Sequence, residues 1–162
     1  MKINMSVHAP FNKQITFEMQ EKETVCFNIK TSWHIIARMY NAEGASFGLS
    51  ASTGYVLLNI HEEAGSTATQ IASLIGMEAT SMTRMLRTLE EKNLIYKKQD
   101  QSDKRMYKIF LTEEGKKKRE ISKKAVKTFN KKVKEQVSQE KLKIFFEVIE
   151  KINKIAETNH ND

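Results

Sequence analysis

Two short helical patterns separated by a glycine, in residues 67–91, constrain the fold more than any other stretch of this sequence. The first pattern runs from Thr67 to Gly76, and the second, ATSMTRMLRTLEE, occupies residues 79–91. At about 100° per residue, the second segment places its apolar residues on one side and its hydroxyl and arginine side chains on the other. A short helix, a tight turn and a second amphipathic helix together predict a helix-turn-helix. The apolar side of the second helix comprises Met82, Met85, Leu86 and Leu89.

A hairpin is predicted directly after this helix pair. Asn93 is expected to end the second helix, because asparagine tolerates the left-handed conformation that helix ends often need. The following stretch, IYKKQDQSDKRMYKIFLT, has apolar residues in strand-like surroundings on both sides of the polar turn QDQSDKR. The helix pair and the hairpin together define a winged helix-turn-helix at residues 49–111, in which the hairpin is the wing. The predicted fold class is therefore mainly α, with a small β component (α+β).

Helical patterns also flank this central part of the chain. Residues 1–22 contain the only proline and show no sustained period, so they are interpreted as an N-terminal arm. Residues 23–48 and 112–160 are helical in pattern, and a helix between them is expected to end at Gly65. Thr112 is the expected cap of the long C-terminal part. Because a winged helix alone needs far fewer residues, the apolar faces of the terminal helices predict a subunit interface.

Composition limits the classes of function. The 162 residues include 27 basic and 20 acidic side chains, a net charge of +7 that permits a polyanionic partner. The single cysteine, Cys26, precludes an internal disulfide and, without a secretory signal, favours the cytoplasm. No apolar run approaches the roughly 20 residues that a membrane span needs. There is no glycine-rich phosphate loop, patterned nucleophile or metal-ligand spacing. We therefore expect no enzyme, no cofactor, no metal site and no membrane partner.

Residues 67–120, TATQIASLIGMEATSMTRMLRTLEEKNLIYKKQDQSDKRMYKIFLTEEGKKKRE, resemble the DNA-binding core of the MarR family of bacterial transcription regulators. Four ordered segments carry the resemblance: IASLIG, TSMTRMLRTLEEKNLI, the wing tip Asp103-Lys104-Arg105 and LTEEGKK. The resemblance implies a homodimer in which the terminal helices form the dimerisation region. It also implies a sequence-specific regulator of transcription, expected to repress, whose two winged domains enter successive major grooves of a palindromic double-stranded operator. Asn93 departs from the family pattern, which usually has glycine there.

On that resemblance, the outer face of residues 79–91 lies in the major groove. Thr80 and Ser81, near the helix N-terminus, would hydrogen-bond phosphates or base edges. Arg84 is the best candidate for base readout, because its planar guanidinium can pair with two acceptors on guanine. The alternative for Arg84 is an ordinary solvated arginine paired within its own helix. Arg87 is expected to turn towards either phosphate or an acidic neighbour.

The wing supplies the second set of expected contacts. Arg105 would enter the minor groove, which attracts arginine through its width and negative potential. Asp103 would hold Arg105 in place through a charge-assisted hydrogen bond, as the Asp-x-Arg tip of the family implies. The wing lysines would contact phosphates without choosing sequence, and their alternative is a role in solubility only. These lysines are Lys97, Lys98, Lys104 and Lys108.

The resemblance further implies that a small aromatic or lipophilic ligand releases the DNA. The expected ligand pocket comprises Trp33, His34, Tyr40 and Tyr55, for which core packing is the alternative. Within the regulator class, redox sensing through Cys26 at the start of the first helix is a second alternative. Outside that class, the alternative is a winged-helix module that binds protein or RNA.

Overall fold

The computed structural model describes residues 24–158, and the expected mainly helical winged helix-turn-helix fold is confirmed. The chain divides into two compact units, one that ends at Ala51 and one that begins at Ser52. In chain order the elements are α1 (Val25–Gly44), α2 (Ala51–Leu58), α3 (Ala68–Ile75), α4 (Ala79–Glu91), β1 (Ile95–Gln99), β2 (Tyr107–Leu111), α5 (Glu113–Gln136) and α6 (Gln139–Thr158).

The described residues of the first unit form α1 and a sharp reversal of the chain after it. Helix α1 begins after Thr24, whose Oγ1 accepts a hydrogen bond from Phe27 N over 3.3 Å. A short 3-10 helix, Ala45–Phe47, follows, and Leu49 N donates to Gly44 O over 3.0 Å. A Cβ at position 44 would lie 2.6 Å from Leu49 O. This reversal therefore requires glycine at its first residue.

The helix pair that the sequence predicted has the expected limits. Thr67 and Gln70 form a capping box at the start of α3: Gln70 N donates to Thr67 Oγ1 over 3.2 Å, and Thr67 N donates to Gln70 Oε1 over 2.9 Å. Gly76 ends α3 in the left-handed conformation, with φ 63°. Helix α4 then occupies Ala79–Glu91, as its periodicity predicted.

The wing is an antiparallel hairpin with an additional short pairing at its base. Strand β1 pairs with β2 in a register that sets Ile95 opposite Leu111. Ser66 N donates to Ile109 O over 3.1 Å, and Ile109 N donates to Ser66 O over 2.9 Å. This bridge attaches the segment before α3 to the outer edge of β2. Asn93, between α4 and β1, has φ 53°, which confirms its expected left-handed conformation.

Helix α2 is shorter than the sequence indicated. It ends at Leu58, and the expected end at Gly65 is wrong. The residues in between form turns, and Gly65 itself has φ 65°. The physical reason is the bridge between Ser66 and Ile109, since the chain must leave the helix early to reach the edge of the sheet.

One apolar core holds the second unit together and fixes the inner face of α4. Burying each large side chain contributes about 1.5–3 kcal/mol, so the buried inner face anchors α4. Its outer face is thereby left available to a partner while the helix itself stays fixed. The buried apolar residues of this unit include Val56, Leu57, Ile60, Ile71, Met82, Leu86, Leu89, Leu94, Ile95, Ile109 and Leu111.

The C-terminal helices are long and leave many apolar side chains exposed. Thr112 caps α5, as expected, because its Oγ1 accepts from Gly115 N over 3.0 Å. The same Oγ1 donates to Asn93 O over 2.7 Å, which joins the end of the wing to the end of α4. No helix within residues 24–158 is long and apolar enough to cross a membrane. The large exposed apolar residues of α6 are Ile144, Phe145, Phe146, Val148 and Ile155.

Candidate nucleic-acid interface

The outer face of α4 carries all four polar residues that were predicted for it, and all four are exposed. The side chain of Glu78, the residue before the helix, makes no capping hydrogen bond, and the first turn contains no acidic residue. Within residues 24–158 the first amide groups of α4 therefore have no side-chain acceptor and, together with the helix dipole, they favour an anion such as a phosphate. The four residues are Thr80, Ser81, Arg84 and Arg87.

The two arginines of α4 differ in their partners. Arg87 Nε donates to Glu91 Oε1 over 2.9 Å, so Arg87 turns towards an acidic neighbour. Within residues 24–158 the guanidinium of Arg84 has neither a hydrogen bond nor an ion pair. Thr88, one residue with which Arg84 could have paired, instead donates its hydroxyl to the backbone oxygen of Arg84 over 3.1 Å. Arg84 therefore keeps all its donors available to an external acceptor.

The lysines of strand β1 also fall into two classes. Lys97 Nζ lies 2.6 Å from Glu90 Oε2, so its charge is already matched by the last turn of α4. Lys98, its neighbour on the opposite face of the strand, is exposed and has no ion pair in the described part of the chain. Lys104 at the wing tip is likewise exposed and unpaired there. An unpaired lysine can neutralise a phosphate without first losing a protein partner.

The wing tip presents Arg105 through the contact that was expected from Asp103. Asp103 Oδ1 accepts from Arg105 N over 2.9 Å and from Arg105 Nε over 3.3 Å. The Arg105 side chain is 92% exposed, and that of Asp103 is 36% exposed. The arginine thus projects into solvent while its backbone and Nε are held by one carboxylate oxygen.

Asp100, which the sequence pattern did not single out, is a buried carboxylate at the root of this tip. Its Oδ1 accepts from Ser102 N over 2.8 Å and from Asp103 N over 3.2 Å, and its Oδ2 lies 3.0 Å from Lys108 Nζ. The hydrogen bond from the Ser102 hydroxyl, followed by that from Lys108, holds the pKa of Asp100 well below its ordinary value. The Asp-x-Ser order, typical of an Asx-turn, was the available signal in the sequence.

The four residues of the expected ligand pocket are distributed over both units. Trp33, His34 and Tyr40 lie on α1 in the first unit, where Tyr40 is buried and the other two are exposed. Tyr55 lies on α2 in the second unit and is half-buried, and this burial raises the pKa of its hydroxyl. For Tyr40, the core-packing alternative agrees with its burial.

An open groove within the second unit offers space that the sequence did not indicate. Its volume is about 920 Å³, within the range of roughly 300–1,000 Å³ that is usual for ligand sites. The turns after α2, the exposed side of α3 and Arg119 of α5 line it. Arg119 forms an ion pair with Glu62, and its buried Nε has no hydrogen-bond partner in the described residues. None of the expected pocket residues lines this groove.

Two further features concern reactive and metal-binding groups. Cys26 is a free, exposed thiol in the first turn of α1. Among residues 24–158 no three His, Cys, Asp or Glu side chains are grouped so that they could hold a metal ion.

Comparison with protein families gives a match at the winged domain. The family model described as MarR matches residues 49–107. A relative, the HTH-type transcriptional regulator TtmR of Methylorubrum extorquens (strain PA1), is 30% identical over 91 residues, which is 56% of this chain. The chain spans about half the length of that relative (47%).

Solved structures of low sequence identity share the fold. The S. aureus MepR–DNA complex superposes with a TM-score of 0.75 at 23% identity and covers 82% of this chain and 98% of its own. The transcriptional repressor CouR, bound to a 23-mer DNA duplex, gives a TM-score of 0.69 at 22% identity, covering 82% of this chain and 94% of its own. CouR from Rhodococcus jostii RHA1 bound to p-coumaroyl-CoA gives a TM-score of 0.71 at 21% identity, covering 82% of this chain and 93% of its own. At these identities the likeness concerns the fold alone.

Proposed function

We propose that the chain is a sequence-specific regulator of transcription that binds double-stranded DNA, on the premise that the MarR family model matches residues 49–107. The single observation that carries the proposal is the exposed, unpaired guanidinium of Arg84 on a helix whose opposite face is fixed in the core. Such a side chain reads a base edge when its helix lies in the major groove. The S. aureus relative MepR and the repressor CouR, which share this fold, were solved with DNA bound.

The contacts divide into those that specify sequence and those that position the protein. Arg84 pairs with the acceptors of a guanine in the major groove, and Arg105 occupies the minor groove beside it. Thr80 and Ser81 bind phosphate at the uncapped start of α4. Lys98 adds a phosphate contact that raises affinity for every sequence alike. Arg87 and Lys104 complete the proposed contacts. Asp103 contributes indirectly, because it holds Arg105 in place.

The regulator acts as a homodimer on a palindromic operator. Helix α6 exposes several large apolar side chains, among them Phe146 (62% exposed) and Ile155 (63% exposed). A group of exposed apolar residues of this kind is typical of a protein–protein interface. Helix α1 likewise exposes Val25, Ile29, Trp33 and Ile35. A two-fold dimer reads two half-sites about one turn of DNA apart.

The sign of regulation is repression, and a small aromatic or lipophilic ligand relieves it. CouR, a repressor of the same fold, was solved with p-coumaroyl-CoA. In this chain, Trp33 and His34 expose aromatic surface on α1, and the groove beside Arg119 has the volume of a ligand site. Release of a preformed protein–DNA complex by hydroxycinnamate-like acids or their thioesters, followed by fluorescence anisotropy, tests this part of the proposal.

Selection of duplexes from a random-sequence pool tests DNA recognition itself. The purified chain is expected to enrich a palindromic consensus, and the double variant Arg84→Ala/Arg105→Ala is expected to lose the consensus while retaining weak, salt-sensitive binding. Lys151→Ala in α6, outside the proposed DNA contacts, is the control for loss of a cation elsewhere, because Lys151 is exposed and unpaired in the described chain. Failure of the unaltered protein to enrich any consensus, or equal enrichment by the double variant, contradicts the proposed function.

A further inference from the structure

The wing tip contains one carboxylate that is placed to organise the tip and is not placed to meet DNA. The Asp100 side chain is 7% exposed, in a hairpin tip where Arg105 is 92% exposed. A buried carboxylate is tolerated only when both oxygens are satisfied, and here both are. Oδ1 accepts from Ser102 and Asp103, and Oδ2 pairs with Lys108. No acceptor capacity or negative charge is therefore directed towards a phosphate.

The hydrogen bonds of Asp100 lead to Arg105 in two steps. Asp100 Oδ1 receives the backbone N–H of Asp103, which fixes where Asp103 lies in the turn. Asp103 Oδ1 in turn receives both the backbone N–H and the Nε–H of Arg105. Backbone bonds from Asp100 N to Met106 O and from Met106 N to Asp103 O, each 2.9 Å, close the same turn. The arginine is thus oriented in the protein without DNA.

We propose that Asp100 is the positioning residue of the wing, which acts on DNA binding only through Arg105 by holding the turn that presents it. The proposal rests on the proposed function, because it assumes that Arg105 contacts DNA. A tip that is ordered before binding avoids the loss of backbone and side-chain freedom that a mobile tip would suffer on the duplex. Asp100 therefore increases affinity without touching the nucleic acid.

Two substitutions of Asp100 separate hydrogen bonding from charge. Asp100→Asn keeps an acceptor oxygen for Ser102 and Asp103, whereas Asp100→Ala removes it. We expect Asp100→Ala to weaken binding to the selected consensus duplex on the order of tenfold, and Asp100→Asn to weaken it much less. Gln101→Ala is the matched control, since Gln101 is the exposed neighbour in the same turn. Hydrogen exchange of the Ser102 and Asp103 amides in the DNA-free protein is expected to accelerate in Asp100→Ala only.

A double-mutant cycle with Arg105→Ala decides whether Asp100 acts through Arg105. In the Arg105→Ala background, Asp100→Ala is expected to change affinity by less than about twofold, because the side chain that it positions is already gone. A tenfold loss that persists in that background, or full affinity of Asp100→Ala in the otherwise unaltered protein, overturns the positioning role. If the unaltered protein selects no duplex, the proposed function fails and this role fails with it. If the protein does select a duplex, the double-mutant cycle tests the role of Asp100 separately from the proposed function.

Discussion

Lys97 and Glu90 are joined by a contact of 2.6 Å between Nζ and Oε2, which ties the first strand of the wing to the last turn of α4. Both side chains are partly exposed, so the pair itself contributes little to stability, about 0–1 kcal/mol. Its importance lies in electrostatics. It leaves Lys98, the adjacent lysine, as the cation of β1 whose charge is not already matched within the described chain.

Lys98→Ala is therefore expected to weaken binding to all duplexes by a similar factor and to reduce the slope of log K against log salt by about one. Lys97→Ala, one residue away, is expected to change that slope much less, since Lys97 is already neutralised by Glu90. Anisotropy titrations over a range of salt concentrations measure both slopes. Equal slopes for the two variants, or a loss at Lys98 confined to particular sequences, would contradict the assignment.

Arg84→Ala is expected to cost on the order of 1–3 kcal/mol in binding and to relax the preference at one base pair. Arg87→Ala is expected to cost less, because the Nε of Arg87 is engaged by Glu91. The two variants remove the same group from the same helix, so each controls for the other. Affinities for the consensus duplex and for its single-base variants provide the measurement, and an unchanged affinity of Arg84→Ala refutes base readout.

Asn93→Ala is expected to destabilise the fold by about 1–2 kcal/mol, because Asn93 has φ 53° and alanine disfavours the left-handed region. Asn93→Gly is expected to be neutral or stabilising, since glycine has no such penalty. Urea unfolding at fixed protein concentration gives the free energies of unfolding. Equal stability of the two variants would show that the left-handed conformation at this helix end is not what position 93 requires.

Phe146→Asp is expected to shift the protein towards monomer, because it places a charge on the exposed apolar surface proposed as the subunit interface. Sedimentation or light scattering at several concentrations measures the shift, which should reach at least about tenfold in the dimer dissociation constant, or about 1.4 kcal/mol. Lys154→Glu, which changes a charge at the centre of the polar side of the same helix, is expected to leave the dimer intact. A monomeric unaltered protein would contradict the proposed interface outright.

The pH dependence of stability follows from the lowered pKa of Asp100. Because the folded-state pKa lies below the unfolded value of about 3.9, the ionised carboxylate stabilises the fold fully above roughly pH 5. That contribution is lost as the pH falls below about 4 towards the folded-state pKa. The difference in unfolding free energy between the unaltered protein and Asp100→Asn should therefore be constant from about pH 5 to 8 and should shrink in acid. A difference in unfolding free energy that grows as the pH falls would contradict a lowered pKa of Asp100 in the folded protein.

The helix pair was predictable because its signals are local. The apolar period of residues 79–91, the Thr67 cap and the Gly76 stop act within a few residues of chain, and the structure has the same limits. Asn93 belongs to the same class, since the conformation of a helix end depends on the residue that occupies it.

The features that the sequence did not reveal depend on contacts between residues far apart in the chain or on the geometry of a turn. The early end of α2 follows from the bridge between Ser66 and Ile109, which are far apart in the chain. The burial of Asp100 depends on a turn that brings Ser102, Asp103 and Lys108 to one carboxylate, and no hydrophobic period reports such a turn. The ion pair between Lys97 and Glu90 joins a strand to the end of a helix. The two residues are not separated by the three or four positions at which side chains of one helix pair.

The bridge at Ser66 has a consequence for the behaviour of the protein in a crowded cell. A two-stranded hairpin has two borders of unpaired backbone groups, each of which can recruit a strand from another molecule and begin aggregation. Ser66 occupies part of the border of β2 at Ile109, and two successive lysines lie along β1. Charged side chains on a strand border discourage such recruitment. The wing can therefore extend from the fold towards a polyanion without pairing with a strand of another copy of the protein.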